Sequence, residues 1–133
     1  MTTETRAEFS AAANAYKDAL NEWRVGVSAL RQAQATLRDA EFDLETREAE
    51  LLLSLLPPEK SNAEQRAAQL IIDCAADEEY LRLSVTSEQA RSDVAQHTDA
   101  AQAGRDRMSL EKRKLDFSIG WLSFLAQEGG ESQ

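Results

Sequence analysis

The chain has 133 residues, 29% of them charged and 6% aromatic, with 5 Gly, 2 Pro and a formal net charge of −9. That length suits one structural unit, and few breakers beside abundant Ala, Leu, Glu, Gln and Arg point to an all-α chain. The negative balance disfavours nucleic acid as a partner, because coating phosphates needs a net basic footprint. No apolar run reaches the roughly 18 residues that a membrane-spanning helix requires.

The first ten residues carry Glu4 and Glu8 and do not read as a signal peptide. The expected compartment is therefore the cytoplasm. A first long helix is expected over residues 3–55. Phe9, Tyr16, Trp23, Leu30, Leu37, Leu44 and Leu51 recur every seven residues, and Ala12, Ala19, Gly26, Ala33 and Ala40 follow each by three. Large and small residues thus alternate along one seam, the a/d logic of a coiled coil. The small half of the pattern lapses at Arg47 and Ser54. Leu20 and Val27 widen the apolar stripe, and Pro57 and Pro58 forbid continuation.

A short helix is expected over residues 62–75. Ser61 with Glu64, or Asn62 with Gln65, supplies the reciprocal pair of a capping box. Ala67, Leu70, Ile71, Cys74 and Ala75 would form its apolar face. The acids of Asp77-Glu78-Glu79 suit the first turn of another helix, so a bend is expected near Ala76 and Asp77. A second long helix then follows over residues 77–127. Its seam runs Tyr80, Leu83, Ser87, Ala90, Val94, His97, Ala101, Gly104, Met108, Glu111, Leu115, Ser118, Leu122 and Leu125. Gly129 and Gly130 should stop it, leaving 129–133 as a disordered tail.

Together these elements predict a single domain folded as a long antiparallel helical hairpin, coiled-coil-like, with a short intervening helix. The seams match best with Phe9 near Trp121 and Gly26 near Gly104. The aromatic end, Phe9, Tyr16 and Trp23 with Phe117, Trp121 and Phe124, would be the thickest part of the core. Much of the apolar content is alanine, so the core is thin, and thin cores favour association. Between Leu115 and Leu125, apolar residues fall on more faces than one partner helix can cover. Phe117, Trp121, Phe124 and Leu125 are accordingly the candidate surface for a second copy of the chain or another protein.

Enzymatic chemistry finds little support. His97 is the single histidine and Cys74 the single cysteine, so no disulfide, zinc cluster or catalytic triad can be assembled around them. Strings for phosphate-binding loops, zinc helices and nucleophile elbows are missing. No cofactor or metal is expected. His97 suits a polar seam residue that sets register, and Cys74 a small core residue. Glu41, Asp43, Glu45, Glu48 and Glu50 read as a solvated acidic stretch rather than a cation site.

Two basic features remain. Lys17, Arg24, Arg31 and Arg38 repeat every seven residues beside the aromatic and leucine row. Ion pairs across the seam are the favoured explanation; a basic stripe that contacts a ligand is the sharper one. Arg105, Arg107, Lys112, Arg113 and Lys114 form a local basic patch whose members point several ways on a helix.

The string from Lys60 to Leu70 (KSNAEQRAAQL), followed by Asp77-Glu78-Glu79-Tyr80 and a long helix, resembles small helical coiled-coil proteins of bacteriophages and prophages. Those carry a similar Lys-Asn-x-Ala-x-Arg-x-Ala-x-Leu string, and here Ser61 interrupts the Lys-Asn pair. The likeness covers about a third of the chain. It implies a phage accessory protein in a bacterial cytoplasm and transfers no catalytic residue. The expected function is a non-enzymatic interaction or assembly protein, an accessory of phage DNA metabolism or recombination. The alternative is a phage-encoded inhibitor whose acidic faces occupy the basic groove of a host defence or nucleic-acid enzyme.

Overall fold

The computed structural model describes residues 3–55 and 62–131. Three helices follow in order: α1 (Thr3–Ser54), α2 (Ala63–Ala76) and α3 (Glu78–Glu131). The fold is all-α, a long helix pair packed together with a short helix between. α1 ends within a residue of its expected stop, where the Leu55 N–H donates to the Leu52 carbonyl at 3.1 Å. Pro57, Pro58, Lys60 and Ser61 lie outside the described residues. α3 overruns its expected stop at Gln127 and continues through Gly129 and Gly130 to Glu131, so that part of the expected tail is helical.

The chain divides into two compact units. One combines the chain up to Leu30 with the chain from His97 onward; the other is Arg31–Gln96. In the first, α1 and α3 run antiparallel, with Glu22 of α1 accepting from the Arg107 guanidinium of α3. In the second, Glu41 of α1 meets Arg91 of α3 at 3.6 Å, and α2 packs within the same unit.

The two seams hold as read. Every seam residue of α3 named above is buried or half-buried, and so is every seam residue of α1 up to Leu51, Arg47 included. The most buried positions are the small ones: Ala19, Ala40, Ala90 and Ala101, with Ser87 at 2% exposure. Among the described residues no large side chain is fully buried. Small residues mark the points of closest approach between helices, and the leucines and aromatics beside them are only half-covered. Such a core buries little area per residue, the economy expected of an alanine-rich seam.

The register differs from the expected one by about a turn in the first unit. A Cβ placed on Gly26 would lie 3.8 Å from the Ala101 Cα, and one on Gly104 would lie 3.5 Å from the Trp23 Cα. Each glycine therefore faces its partner seam one layer away from the other glycine. Both seams repeat with the same seven-residue period, so spacing alone matches nearly as well after a one-layer slip.

α2 also departs from expectation. Cys74 is buried and Leu70 half-buried, but Ile71 and Ile72 are 71% and 59% exposed, and Ala67 and Ala75 are exposed. The covered face instead takes in Arg66 and Asp73. A helix of 14 residues with apolar side chains on two sides does not declare which side packs.

Candidate interaction sites

In the unit formed by residues 31–96, the chemistry gathers at the α2–α3 junction. Asn62 caps α2: its side chain accepts from the Gln65 N–H at 2.8 Å, while Gln65 accepts from the Asn62 N–H at 3.3 Å. This is the second of the two capping boxes read from the sequence. α2 stops at Asp77, whose backbone is extended (φ −86°, ψ 117°) and whose N–H donates to the Cys74 carbonyl at 3.3 Å. The Asp77 carboxylate then accepts from the Tyr80 N–H at 2.7 Å, so the residue that ends α2 also caps α3.

Arg47 of α1 completes this junction. Its Nε donates to Asp77 Oδ2 at 2.9 Å and a terminal nitrogen to Oδ1 at 2.7 Å, the two-pronged geometry that guanidinium and carboxylate share. The same guanidinium reaches Glu50 at 2.9 Å and Glu79 at 3.6 Å. The Arg47 bonds, with the Tyr80 N–H second, hold the Asp77 carboxyl down at about 2. The Arg47 guanidinium is in turn held more firmly protonated, chiefly by its bond to Asp77. Burial raises the Cys74 thiol and the Tyr80 phenol above their ordinary values, which keeps the thiol un-ionised and unreactive. What reads in sequence as a lapse at Arg47 is thus the ion pair that ties α1 to the α2–α3 bend. The available signal was an arginine standing in a seam, which needs a partner, together with an acid at the next helix start.

In the other unit the notable feature is apolar. Phe117 is 77% exposed, Trp121 49% and Phe124 48%. The expectation that these three thicken the core is therefore corrected: they share the outer face of α3, while Phe9, Tyr16 and Trp23 are half-buried on α1. Trp121 and Phe124 stack with ring centroids 5.6 Å apart. Leu125 belongs to the seam rather than to this face and is half-buried. Phe117, Gly120, Trp121 and Phe124 line a hollow of about 360 Å³, and nothing lies within 4 Å of a Cβ placed on Gly120. Phe9 and Trp121 lie near each other as expected, both lining a smaller hollow of about 60 Å³ with Thr5, Glu8, Phe117 and Ser118.

The basic residues are freer than the favoured reading supposes. Lys17, Arg24, Arg31 and Arg38 are all exposed, and none forms an ion pair among the described residues. Two pairs between α1 and α3, Glu41–Arg91 and Glu22–Arg107, put the acid on α1 instead, and the arginine of α1 that does pair with α3 is Arg47, with Glu79. Within the second basic patch, Arg107 is engaged by Glu22 and Lys114 by Glu111 at 3.6 Å, leaving Arg105, Lys112 and Arg113 in solvent.

His97 is half-buried in its seam position. Among the described residues, no group of three or more His, Cys, Asp or Glu side chains is placed to hold a metal ion, and no helix is long and apolar enough to cross a membrane. No protein-family model, curated protein or solved structure matches this chain.

Proposed function

We propose that this protein works by binding rather than catalysis, as a helical assembly protein that associates with itself through the outer aromatic face of α3. The observation that carries this reading is the exposure of Phe117, Trp121 and Phe124 around one hollow. Leaving three aromatic rings in water forgoes the burial that would otherwise make them strong contributors to stability. Clustered aromatics of this kind are the usual energetic centre of protein interfaces. The resemblance of the Lys60–Tyr80 stretch supports an accessory role in a phage or prophage, in the bacterial cytoplasm; DNA metabolism or recombination is the setting we assign to that role.

The test is mass against concentration. Light scattering at micromolar concentration should give a mass above the 14.8 kDa of one chain. Trp121→Glu should weaken association by roughly tenfold or more, as expected for an interfacial tryptophan. A wild-type chain that remains monomeric as its concentration rises would remove the reading.

A second reading rests on a different observation. Asp43, Glu45 and Glu48 are exposed on α1 and make no ion pair among the described residues, so these carboxylates are free to meet a basic groove. Such an inhibitor would bind a basic protein and ignore single-stranded DNA. An accessory that handles DNA through Lys17 and Arg24 would instead bind the strand with an affinity that falls as salt rises.

A further inference from the structure

Phe117, Gly120, Trp121 and Phe124 stand at positions i, i+3, i+4 and i+7 of one helix. Those are the four corners of the hole that receives a side chain from a facing helix in coiled-coil packing. Gly120 is the corner without a side chain, and the space above it is open. The same face extends toward the N-terminus of α3. Leu110 (49% exposed), Phe117 and Phe124 repeat every seven residues, with Arg113 and Gly120 three after the first two, so α3 carries a second, unused seam beside the one packed on α1.

The charges flanking this second seam are polar along the helix. Lys112, Arg113 and Lys114 lie on its N-terminal side and Glu128 on its C-terminal side, with Asp116 the one charge between them. The last turn of α3 contains no basic residue to offset the partial negative charge of a helix C-terminus. A parallel pairing of two such faces would set Arg113 against Arg113 and one negative helix end against the other. An antiparallel pairing does the reverse.

Resting on the self-association proposed above, we infer that the occupant of this face is the same face of a second copy, docked antiparallel about a two-fold axis passing between Gly120 and Trp121. That axis sets Phe117 of each copy against Phe124 of the other, beside the open hole at Gly120. It also sets Arg113 of each copy against Glu128 of the other, twice by symmetry. The basic run of each copy then reaches the uncompensated C-terminal end of its partner's α3. The face is complementary to itself in shape and in charge, and in one orientation only.

The orientation is read by a charge-swap cycle, with dimer dissociation measured by sedimentation equilibrium. Arg113 and Glu128 are exposed, so the variants should keep wild-type helicity by circular dichroism. Arg113→Glu and Glu128→Arg each turn two attractive pairs repulsive, and each should raise the dissociation constant by roughly fivefold, less at high salt. The double variant restores opposite charges across the axis and should return to within about twofold of wild type. Spin labels at residue 113 give a second readout that needs no charge reversal. Antiparallel docking separates the two labels by about 22 Å along the axis at 1.5 Å per residue, against about 10 Å for a parallel pair. A dimer in which the swaps do nothing and the labels lie close overturns the antiparallel arrangement while leaving self-association intact. A wild-type monomer at high concentration overturns both and gives the face to a different partner.

Discussion

The two units hold α1 to α3 by different means. In the 31–96 unit, one arginine binds one aspartate through two directed bonds, and that aspartate closes one helix and opens the next. In the unit containing the termini, the helices meet by backbone proximity at Gly26 and Gly104, and the largest side chains stay partly in water. Directed polar bonds satisfy themselves inside the chain and specify one geometry. Half-exposed rings are only partly satisfied internally, and the remaining burial is still available to a partner. The 31–96 unit is therefore suited to fix the fold and the unit containing the termini to use it.

The contrast breaks most sharply at Gly104. A Cβ there would sit 3.5 Å from the Trp23 Cα, an ordinary contact, but the branches of a larger side chain would meet backbone. Gly104→Leu should destabilise by about 1–3 kcal/mol through overpacking. Gly104→Ala fits, and should stabilise by up to about 1 kcal/mol because glycine is a poor helix former. Thermal melts of the pair decide the point: if the leucine variant melts with the alanine variant, the helices do not approach closely there.

The polar unit is probed through pH. The Asp77 carboxyl is held at about 2, below its ordinary 3.8, by Arg47 and the Tyr80 N–H. A carboxyl with a lowered folded-state value stabilises when ionised. Its contribution is present above about pH 4 and drains away as pH falls toward 2. Asp77→Asn keeps a capping oxygen but loses the charge, so it should melt several degrees below wild type at pH 6. The gap should close as the pH is lowered to about 2, where wild-type Asp77 is also becoming neutral. A gap of constant size across that range would show that the charge on Asp77 contributes nothing.

Much of this fold was legible because a seven-residue repeat is a one-dimensional signal: both seams, the bend at Asp77 and the Asn62 capping box follow from spacing and helix-start chemistry. Three things were not. Register was ambiguous because two seams with the same period match after a slip, which is why the glycines were set opposite each other. The packed side of α2 was ambiguous because Ile71 and Ile72 compete with Leu70 and Cys74. The Arg47–Asp77 bond spans 30 residues and has no periodicity at all. For the aromatic stretch, the excess of apolar faces was readable, and so was the conclusion that one helix could not cover it. Which rings would stay outside was not, because Leu125 and Phe124 are adjacent in sequence and differ only in their angle about the helix axis.

The smallest expected effect concerns the basic row, and it sharpens the distinction between residues that hold the fold and residues that await a partner. Ion pairs across the seam would have made Arg24 and Arg31 modest contributors to stability, on the order of 0–1 kcal/mol each. Neither is paired among the described residues, and both are exposed. Replacing both with Gln should therefore leave the melting transition nearly unmoved, within about 0.5 kcal/mol. The two substitutions fall in different units, one on each side of Leu30, so each unit reports on its own arginine. If these side chains meet phosphates or carboxylates of a ligand, the double variant should bind it more weakly, and the loss should shrink as ionic strength rises. A clear fall in stability without any change in binding would instead mean that the arginines find acidic partners in the assembled protein, and that the row is structural after all.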